Sequence, residues 1–513
     1  MESCVIQVTA AARRHGNLNI APCGRGFFPE DTIGGSTRAE SGTPVTIMAE
    51  GMPIPVKTDI PRERKTGKPR WLFRDRAWVK DFVRSHSLAP GDLLRLERVA
   101  ERVYRLGILD RSPRRLERTF LEFFAGIGLV RLGLEKGGWQ LLYANDIDPQ
   151  KREMYDAHFA DADAHFELGD IHKVDTFGIP SATLATASFP CTDLSLAGAR
   201  KGLNGGQSSS FFGFIRVLKE MGKRRPPLVL LENVTAFLTS HQGNDFRQAM
   251  LELNELDYSV DPFILDAKWF VPQSRPRLFV AASMLAREGD NGDAAQPAPC
   301  RTRPPAIVEF IAAHPDIRWS LREIPPPPSC SRLSLPVILD DLDDDAPEWW
   351  SKDRKEYLFN QMSARHQAVA KAWMAQEDWC YGTIFRRVRR QPAGQKRSMA
   401  ELRSDGLAGC LRTPKGGSGR QILFKAGFGT YAARLLTPRE CARLMGADDF
   451  TIKADLNQAL FGFGDAVCVP AITWIAKNYL DPLVAATNQS GMLRDREYGK
   501  CRCASKKELS LLV

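Results

Sequence analysis

The sequence predicts a doubly wound α/β fold, a largely parallel sheet with helices on both faces, and three observations carry that reading. An apolar run from Arg118 to Phe124 meets Ala125-Gly126-Ile127-Gly128, and an amphipathic stretch follows from Leu129 to Lys136. That strand, glycine turn and helix form the opening unit of such a fold. Further buried-strand runs, Trp139 to Ala144, Ala182 to Ser188 and Leu228 to Leu231, each end in polar or reactive groups. Arg275 and Arg277 then alternate into another apolar run, Leu278 to Val280, which puts both guanidinia on one side of it.

The chain has 513 residues, enough for several domains, and a formal net charge of +10. The basic balance suggests a polyanionic partner such as nucleic acid. Eleven scattered cysteines form no metal-ligand spacing, since Cys501-Arg502-Cys503 is too tight for a zinc pair, so reduced thiols and no metal site are expected. No apolar run approaches the ~20 residues that span a bilayer, and no signal-peptide pattern opens the chain. These features lead us to expect a cytoplasmic protein without a membrane partner.

Residues 1–60 show no sustained period. Arg62, Arg64, Lys65, Lys68 and Arg70 follow as a basic stretch, then a helical segment from Trp78 to His86, a Pro90-Gly91 turn, and strand-like Leu93 to Leu96 and Val103 to Leu106. This is the pattern of a β-rich module, and it resembles the pseudobarrel DNA-binding domains of plant transcription factors. Residues 110–117 read as a linker.

In the opening unit, Gly126 and Gly128 supply two glycines of the dinucleotide fingerprint, but Leu129 and Val130 match its third poorly. Asp146 lies 18 residues beyond Gly128, near the spacing at which an acid bonds a ribose hydroxyl. A nucleoside cofactor without a pyrophosphate fits this better than a dinucleotide. Asp170 is placed either to bond an adenine amino group or to cap a helix. Pro190 stops a strand and presents Cys191 at its end, ahead of a Gly- and Ser-rich loop, 196–210. A thiol there is a candidate nucleophile. Glu232, at the end of the Leu228 to Leu231 run, is expected to have a raised pKa, suited to donating a proton near neutral pH.

Residues 286–430 break the α/β rhythm with Pro-rich stretches. From Phe385 to Arg420 ten Lys or Arg face two acids, Glu401 and Asp405, and glycines interleave with Arg412, Lys415 and Arg420 around Gly416. Such a segment can follow a phosphate backbone. Order returns at Thr437-Pro438-Arg439-Glu440, a capping box with proline at the first helical position, and at Gly464-Asp465-Ala466-Val467 before a last helix.

The order of these pieces resembles the DNA cytosine-5 methyltransferases from about Thr119 to Asp481. The resemblance implies a Rossmann-like domain that uses S-adenosyl-L-methionine. Phe124, Ala125, Gly126, Ile127 and Gly128 match the family's cofactor loop, Asp146 and Ile147 its ribose site, and Asp170 and Ile171 its adenine site. Pro190 and Val467 adjoin the cofactor. Pro190-Cys191 matches the catalytic Pro-Cys and Glu232-Asn233-Val234 the Glu-Asn-Val motif. Gln273, Arg275 and Arg277 match Gln-x-Arg-x-Arg. Departures are Glu122, Leu129, Thr192-Asp193 and Asp465, none of which removes a catalytic group.

By that resemblance Cys191 attacks C6 of a flipped-out cytosine, Glu232 assists at N3, and Arg275 holds the base carbonyl or the thiol loop, with Arg277 beside it. Ser195, Ser208, Ser209, Gln273, Arg412, Lys415, Gly416 and Arg420 are the expected DNA contacts. The implied layout is an N-terminal module over 1–116, a catalytic domain over 117–285, a smaller irregular target-recognition domain over 286–430, a return over 431–485, and a basic tail over 486–513. The expected partners are double-stranded DNA, bound by a monomer, and a cognate restriction endonuclease. An RNA methyltransferase and a catalytically silent DNA-binding regulator are the alternatives.

Overall fold

A computed structural model describes residues 2–50, 52, 54–86, 88–110, 116–176, 178–190, 209–285, 297–390, 396–413 and 419–490. Cys191, Ser195, Ser208, Lys415 and Gly416 therefore lie outside the described residues, as does most of the loop 196–210. The chain divides into two compact units. One is Met1–Leu116 with Ala486–Val513, and the other is Glu117–Ala485.

The first unit contains β1 (Ser3–Gln7), α1 (Ala10–His15), β2 (Val45–Ala49), β3 (Val56–Thr58), α2 (Arg76–Ser85), β4 (Leu93–Ala100) and β5 (Val103–Asp110). Its sheet runs β1-β4-β5-β2-β3. Leu94, Leu96, Tyr104 and Leu106 face a core that also takes Val79, Phe82 and Val83 from α2. Arg95 and Arg105 alternate outward, as the period of two requires. Asp75 caps α2 by accepting from Trp78 N at 3.0 Å. The stretch 1–60, which lacks a sequence period, supplies β1, β2 and β3. These strands are too short, at three to five residues, to show one. Cys4 and Cys23 are joined as a disulfide with Cα atoms 5.0 Å apart, which corrects the expectation that every cysteine is reduced. They meet because β1 packs beside the short turn at Ala21–Cys23, a proximity that sequence spacing does not reveal.

The second unit is built on seven strands: β6 (Thr119–Phe123), β7 (Gln140–Asp146), β8 (Phe166–Leu168), β9 (Leu184–Ala187), β10 (Leu228–Val234), β11 (Ser259–Asp266) and β12 (Pro276–Ser283). Their order is β11-β12-β10-β9-β6-β7-β8. The pairs from β10 to β8 are all parallel, and β12 runs antiparallel to both its neighbours. This is a Rossmann-like α/β sheet. The strand order reverses between β6 and β9, and α/β sheets bind ligands at that switch point. Here the glycine turn after β6 and the Phe189-Pro190 turn after β9 stand on the same end of the sheet. Helices α3 (Leu129–Lys136), α4 (Pro149–His158), α5 (Ser209–Glu220), α6 (Asn244–Glu255) and α7 (Pro305–Ala313) accompany this sheet.

Helices α8 (Lys352–Asn360) and α9 (Ala364–Met374) lead into β13 (Cys380–Arg390), β14 (Lys396–Arg403), β15 (Ile422–Gly427) and β16 (Thr430–Leu435). These four strands form a separate antiparallel sheet, ordered β14-β13-β15-β16, with its own core around Ile384, Leu402, Ile422 and Phe424. The region is thus more regular than expected, and its last strand passes the anticipated boundary at 430. Arginines on exposed strand positions hid the alternation. Helices α8 and α9 are separated by a break at 361–363.

The chain then returns through α10 (Pro438–Leu444), α11 (Leu456–Asp465), α12 (Val469–Ile475) and α13 (Asp481–Ser490). Thr437 and Glu440 form the full capping box of α10. The helical run Leu456–Gln489 is apolar and long enough to cross a bilayer by composition, contrary to the sequence expectation, yet 61% of its most apolar window is buried inside the fold. It packs on α3, where Thr473 Oγ1 donates to Gly133 O at 2.9 Å.

Candidate active site

Four strand ends and two late segments converge on one end of the large sheet. The turn after β6 is strained in a way the residue types make informative. Phe124 has φ 57° and Gly126 and Gly128 have φ 57° and 83°. A phenylalanine in the left-handed region costs roughly 1–3 kcal/mol and persists only where its surroundings hold it. A Cβ built on Gly126 would meet nothing closer than Lys151 Cδ at 3.9 Å, so the turn is open on that side.

Asp146 closes this turn. One carboxylate oxygen accepts from Gly126 N at 2.8 Å and the other from Asp148 N at 2.9 Å. A carboxylate offers about four acceptor sites, so capacity remains for two hydroxyls. Next to it Ile147 is 67% exposed, an apolar surface with no protein cover. Asp170 accepts from His172 N at 3.0 Å, a local turn rather than a helix cap, and Ile171 is buried beneath it. Val467 is buried, and Pro190 is exposed at the end of its strand. Aromatic and aliphatic surfaces, acids at hydroxyl-bonding positions and an open glycine turn fit an adenosine-type cofactor.

Glu122, one residue before the end of β6, is fully buried. Its Oε1 accepts from Arg131 N at 3.2 Å, and its Oε2 has no partner. Burial pushes its carboxyl up to about 8, against the opposing Arg131 amide.

At the tip of β10 the Glu232 carboxylate is 8% exposed and pairs with Arg277 Nε at 3.0 Å. Burial raises its pKa, while Arg277 and then Arg275 hold it down. Asn233 Nδ2 donates to Phe189 O at 3.2 Å and ties this tip to the turn that precedes Cys191. Antiparallel pairing sets Val234 opposite Arg277, so register alone brings the arginine to the end of β10 that carries Glu232.

Arg275 behaves differently. It is 2% exposed and donates to Leu411 O at 2.7 Å, Gly464 O at 2.9 Å and Ala466 O at 2.5 Å. Its Nη1 also lies 3.3 Å from Cys410 Sγ. These bonds occupy it as a clamp on main-chain carbonyls, whereas Arg277 is the arginine that meets Glu232. Gln273 is fully buried, and its amide bridges Leu444 O at 2.7 Å and Leu411 N at 3.1 Å. With no exposed surface it cannot contact DNA as expected. It is a strut between the segment leaving β14 and the end of α10.

The family model for C-5 cytosine-specific DNA methylases matches residues 118–481. The chain belongs to that family. Its enzyme class is DNA (cytosine-5) methyltransferase. It is 26% identical over 363 residues to the type II methyltransferase M.HhaI of Haemophilus parahaemolyticus, an overlap of 70% of this chain and 93% of that protein. It is 28% identical over 425 residues to a DNA-cytosine methyltransferase of Escherichia coli (strain K12), covering 74% and 80%. The solved Dnmt2 methyltransferase of S. pombe superposes on 72% of the chain and 99% of its own with a TM-score of 0.46 at 17% identity.

In this methylase Cys410 is a thiol beside Arg275 that the sequence did not flag. Its burial opposes ionisation, but Arg275, Arg277 and Arg412 outweigh that and lower the thiol pKa. Nothing in a Gly-rich basic stretch singles it out. The Gln273–Ala408 bridge sets that stretch against the Arg275 segment and brings the thiol to the arginine. Arg412 is exposed, with its guanidinium over the Phe385 ring at 5.4 Å, and Arg420 donates to Asn457 Oδ1 at 2.5 Å. Ser209 opens α5. Asp465 pairs with Lys151 Nζ at 2.9 Å, linking the last motif to the helix after Asp146.

Proposed function

We propose that this methylase transfers a methyl group from S-adenosyl-L-methionine to C5 of a cytosine flipped out of duplex DNA at a specific sequence. The observation that carries the reading is the largely buried Glu232–Arg277 pair, 3.0 Å apart and tied through Asn233 to the turn ahead of Cys191. Phe124, Ile147 and Ile171 would bind the adenosine, with Asp146 on the ribose and Asp170 near the base, and Pro190 and Val467 would border it. Bound there, the cofactor supplies an electrophilic methyl group.

Cys191 would add its thiolate to C6 of the base, forming a C–S bond and driving electron density to C5. Glu232, whose affinity for a proton burial raises, hydrogen-bonds N3 and neutralises the charge that develops there. Arg277 donates to the base carbonyl. Once C5 is methylated, loss of its proton to a base breaks the C6–S bond and returns the electron pair to sulfur. Dividing the reaction into addition and elimination lowers each barrier. The target must leave the stack because C6 is shielded within the duplex. Arg412, Arg420, Lys415 and Gly416 with Ser195, Ser208 and Ser209 are the proposed DNA contacts. The type II names of relatives such as M.HhaI support a role in a restriction-modification system, with a cognate nuclease, in a bacterial cytoplasm.

The test is bisulfite sequencing of DNA from a methylation-free host expressing the chain, beside the Cys191→Ser variant. Methylated cytosines in one short context, lost in the variant while DNA affinity persists, is the expected result. A folded, cofactor-binding chain that leaves DNA unmodified would overturn the reading.

A further inference from the structure

The charge of this chain is divided unevenly between its two units. Met1–Leu116 and Ala486–Val513 hold 27 Lys and Arg against 16 Asp and Glu, a net of +11, whereas Glu117–Ala485 hold 44 against 45, a net of −1. The two account for the whole +10 of the chain. The catalytic unit has basic strands in β13 and β14, but its acids elsewhere cancel them. The matched family region, 118–481, excludes the whole of the basic unit.

Within the first unit five of the 27 cations, Arg62, Arg64, Lys65, Lys68 and Arg70, share one ordered hairpin. Arg62 pairs with Pro69 across it, Glu63 N donates to Lys68 O at 2.8 Å, Gly67 N to Glu63 O at 2.9 Å, and Arg70 N to Pro61 O at 2.9 Å. Every residue from Arg62 to Lys68 is exposed, as is Arg70. The one acid in the hairpin, Glu63, accepts from Thr66 Oγ1 at 2.7 Å. Among the described residues no carboxylate pairs with Arg64, Lys65, Lys68 or Arg70. A surface that held these charges for its own stability would pair them. Here the backbone is pinned while the charged ends stay unpartnered, and such a preorganised cluster loses little entropy on meeting an anion.

We propose that the N-terminal module is a second DNA-binding element, whose Arg62–Arg70 hairpin lies on the phosphate backbone of duplex DNA and supplies a large part of the chain's electrostatic affinity. The inference rests on duplex DNA being the substrate. Phosphate contacts carry affinity and salt dependence without reading sequence, so the module raises occupancy and leaves base choice to the catalytic unit.

The test uses the full chain and its Arg64→Ala/Lys65→Ala/Lys68→Ala variant, with duplex DNA affinity measured by fluorescence anisotropy across a potassium chloride series. Counterion release of about 0.9 per phosphate contact predicts a log–log salt slope shallower by roughly 2 to 3 and a Kd weakened roughly 10- to 100-fold near 0.1 M salt. All three side chains are exposed, so the melting temperature should hold, and kcat at saturating DNA should be unchanged. An unchanged slope and Kd would overturn the proposal. So would a loss confined to duplex RNA, which would make RNA the hairpin's partner. Methyl transfer is measured on the same samples. Hairpin-dependent binding without methylation would therefore sink the catalytic reading alone, and methylation with an unchanged slope would sink this one alone.

Discussion

Glu232 and Glu122 are both carboxylates buried near the ends of parallel strands, and their surroundings assign them different work. Glu232 has Arg277 at 3.0 Å and faces the turn ahead of Cys191. Its raised pKa keeps the acid form present to higher pH, so kcat/KM is expected to fall as pH rises through that value. Glu232→Gln should flatten this alkaline limb and lower kcat roughly 10²- to 10⁴-fold. A pH–rate profile checks both. Removing the Arg277 charge takes away the largest influence that holds Glu232 down, so in Arg277→Gln any residual limb should move to higher pH. Glu122 has no cationic side chain bonded to it and one unpartnered oxygen. Its folded value of about 8 lies above its ordinary 4.5. The sign follows: the neutral acid favours the folded state fully below about 4.5, and that contribution is lost as pH rises through 8. Glu122→Gln should therefore flatten the decline of melting temperature across this window, measured by thermal unfolding at several pH values.

At the scale of elements, the segment Gln273–Arg277 shows how one short sequence separates structure from chemistry. Gln273 and Arg275 turn inward and bond main-chain groups of Leu411, Leu444, Gly464 and Ala466. Those carbonyls belong to three separate segments, which the two side chains lock together. Arg275→Ala would leave buried acceptors unpaired, so a loss of about 3 kcal/mol or more is expected, read as a lowered urea midpoint with unchanged m. Arg277→Ala should leave stability nearly intact, because Glu232 can take up a proton, while methyl transfer falls steeply. The contrast between the two variants, in unfolding and in activity, tests the assignment. The same scale explains the capping box at Thr437: a local pattern of Thr, Pro and Glu predicted the start of α10, and the structure shows both reciprocal bonds.

At the scale of the whole molecule, the family match, the seven-stranded sheet and the order of the motifs agree. The strand–glycine–helix opening, the Phe189-Pro190 turn after β9 and the carboxylate on β10 were legible because buried strands ending in polar groups leave a local mark. Local reading failed wherever partners come from far along the chain. It expected Gln273 on DNA and Arg275 on the base carbonyl or the thiol loop, since an arginine's residue type does not say which of two alternating positions meets a carboxylate. Antiparallel pairing of β10 with β12 decides that, 45 residues from Glu232 to Arg277. Cys410 entered the cluster, Cys4 met Cys23, and four strands emerged from a segment read as irregular, all through contacts between distant residues. Residue order specified the fold class, the glycine turn and the reactive groups, because periodicity, capping and burial act over a few neighbours. Which groups stand together was decided only when strand register and long-range hydrogen bonds brought separate segments to one end of the sheet, because those contacts join residues far apart in the chain.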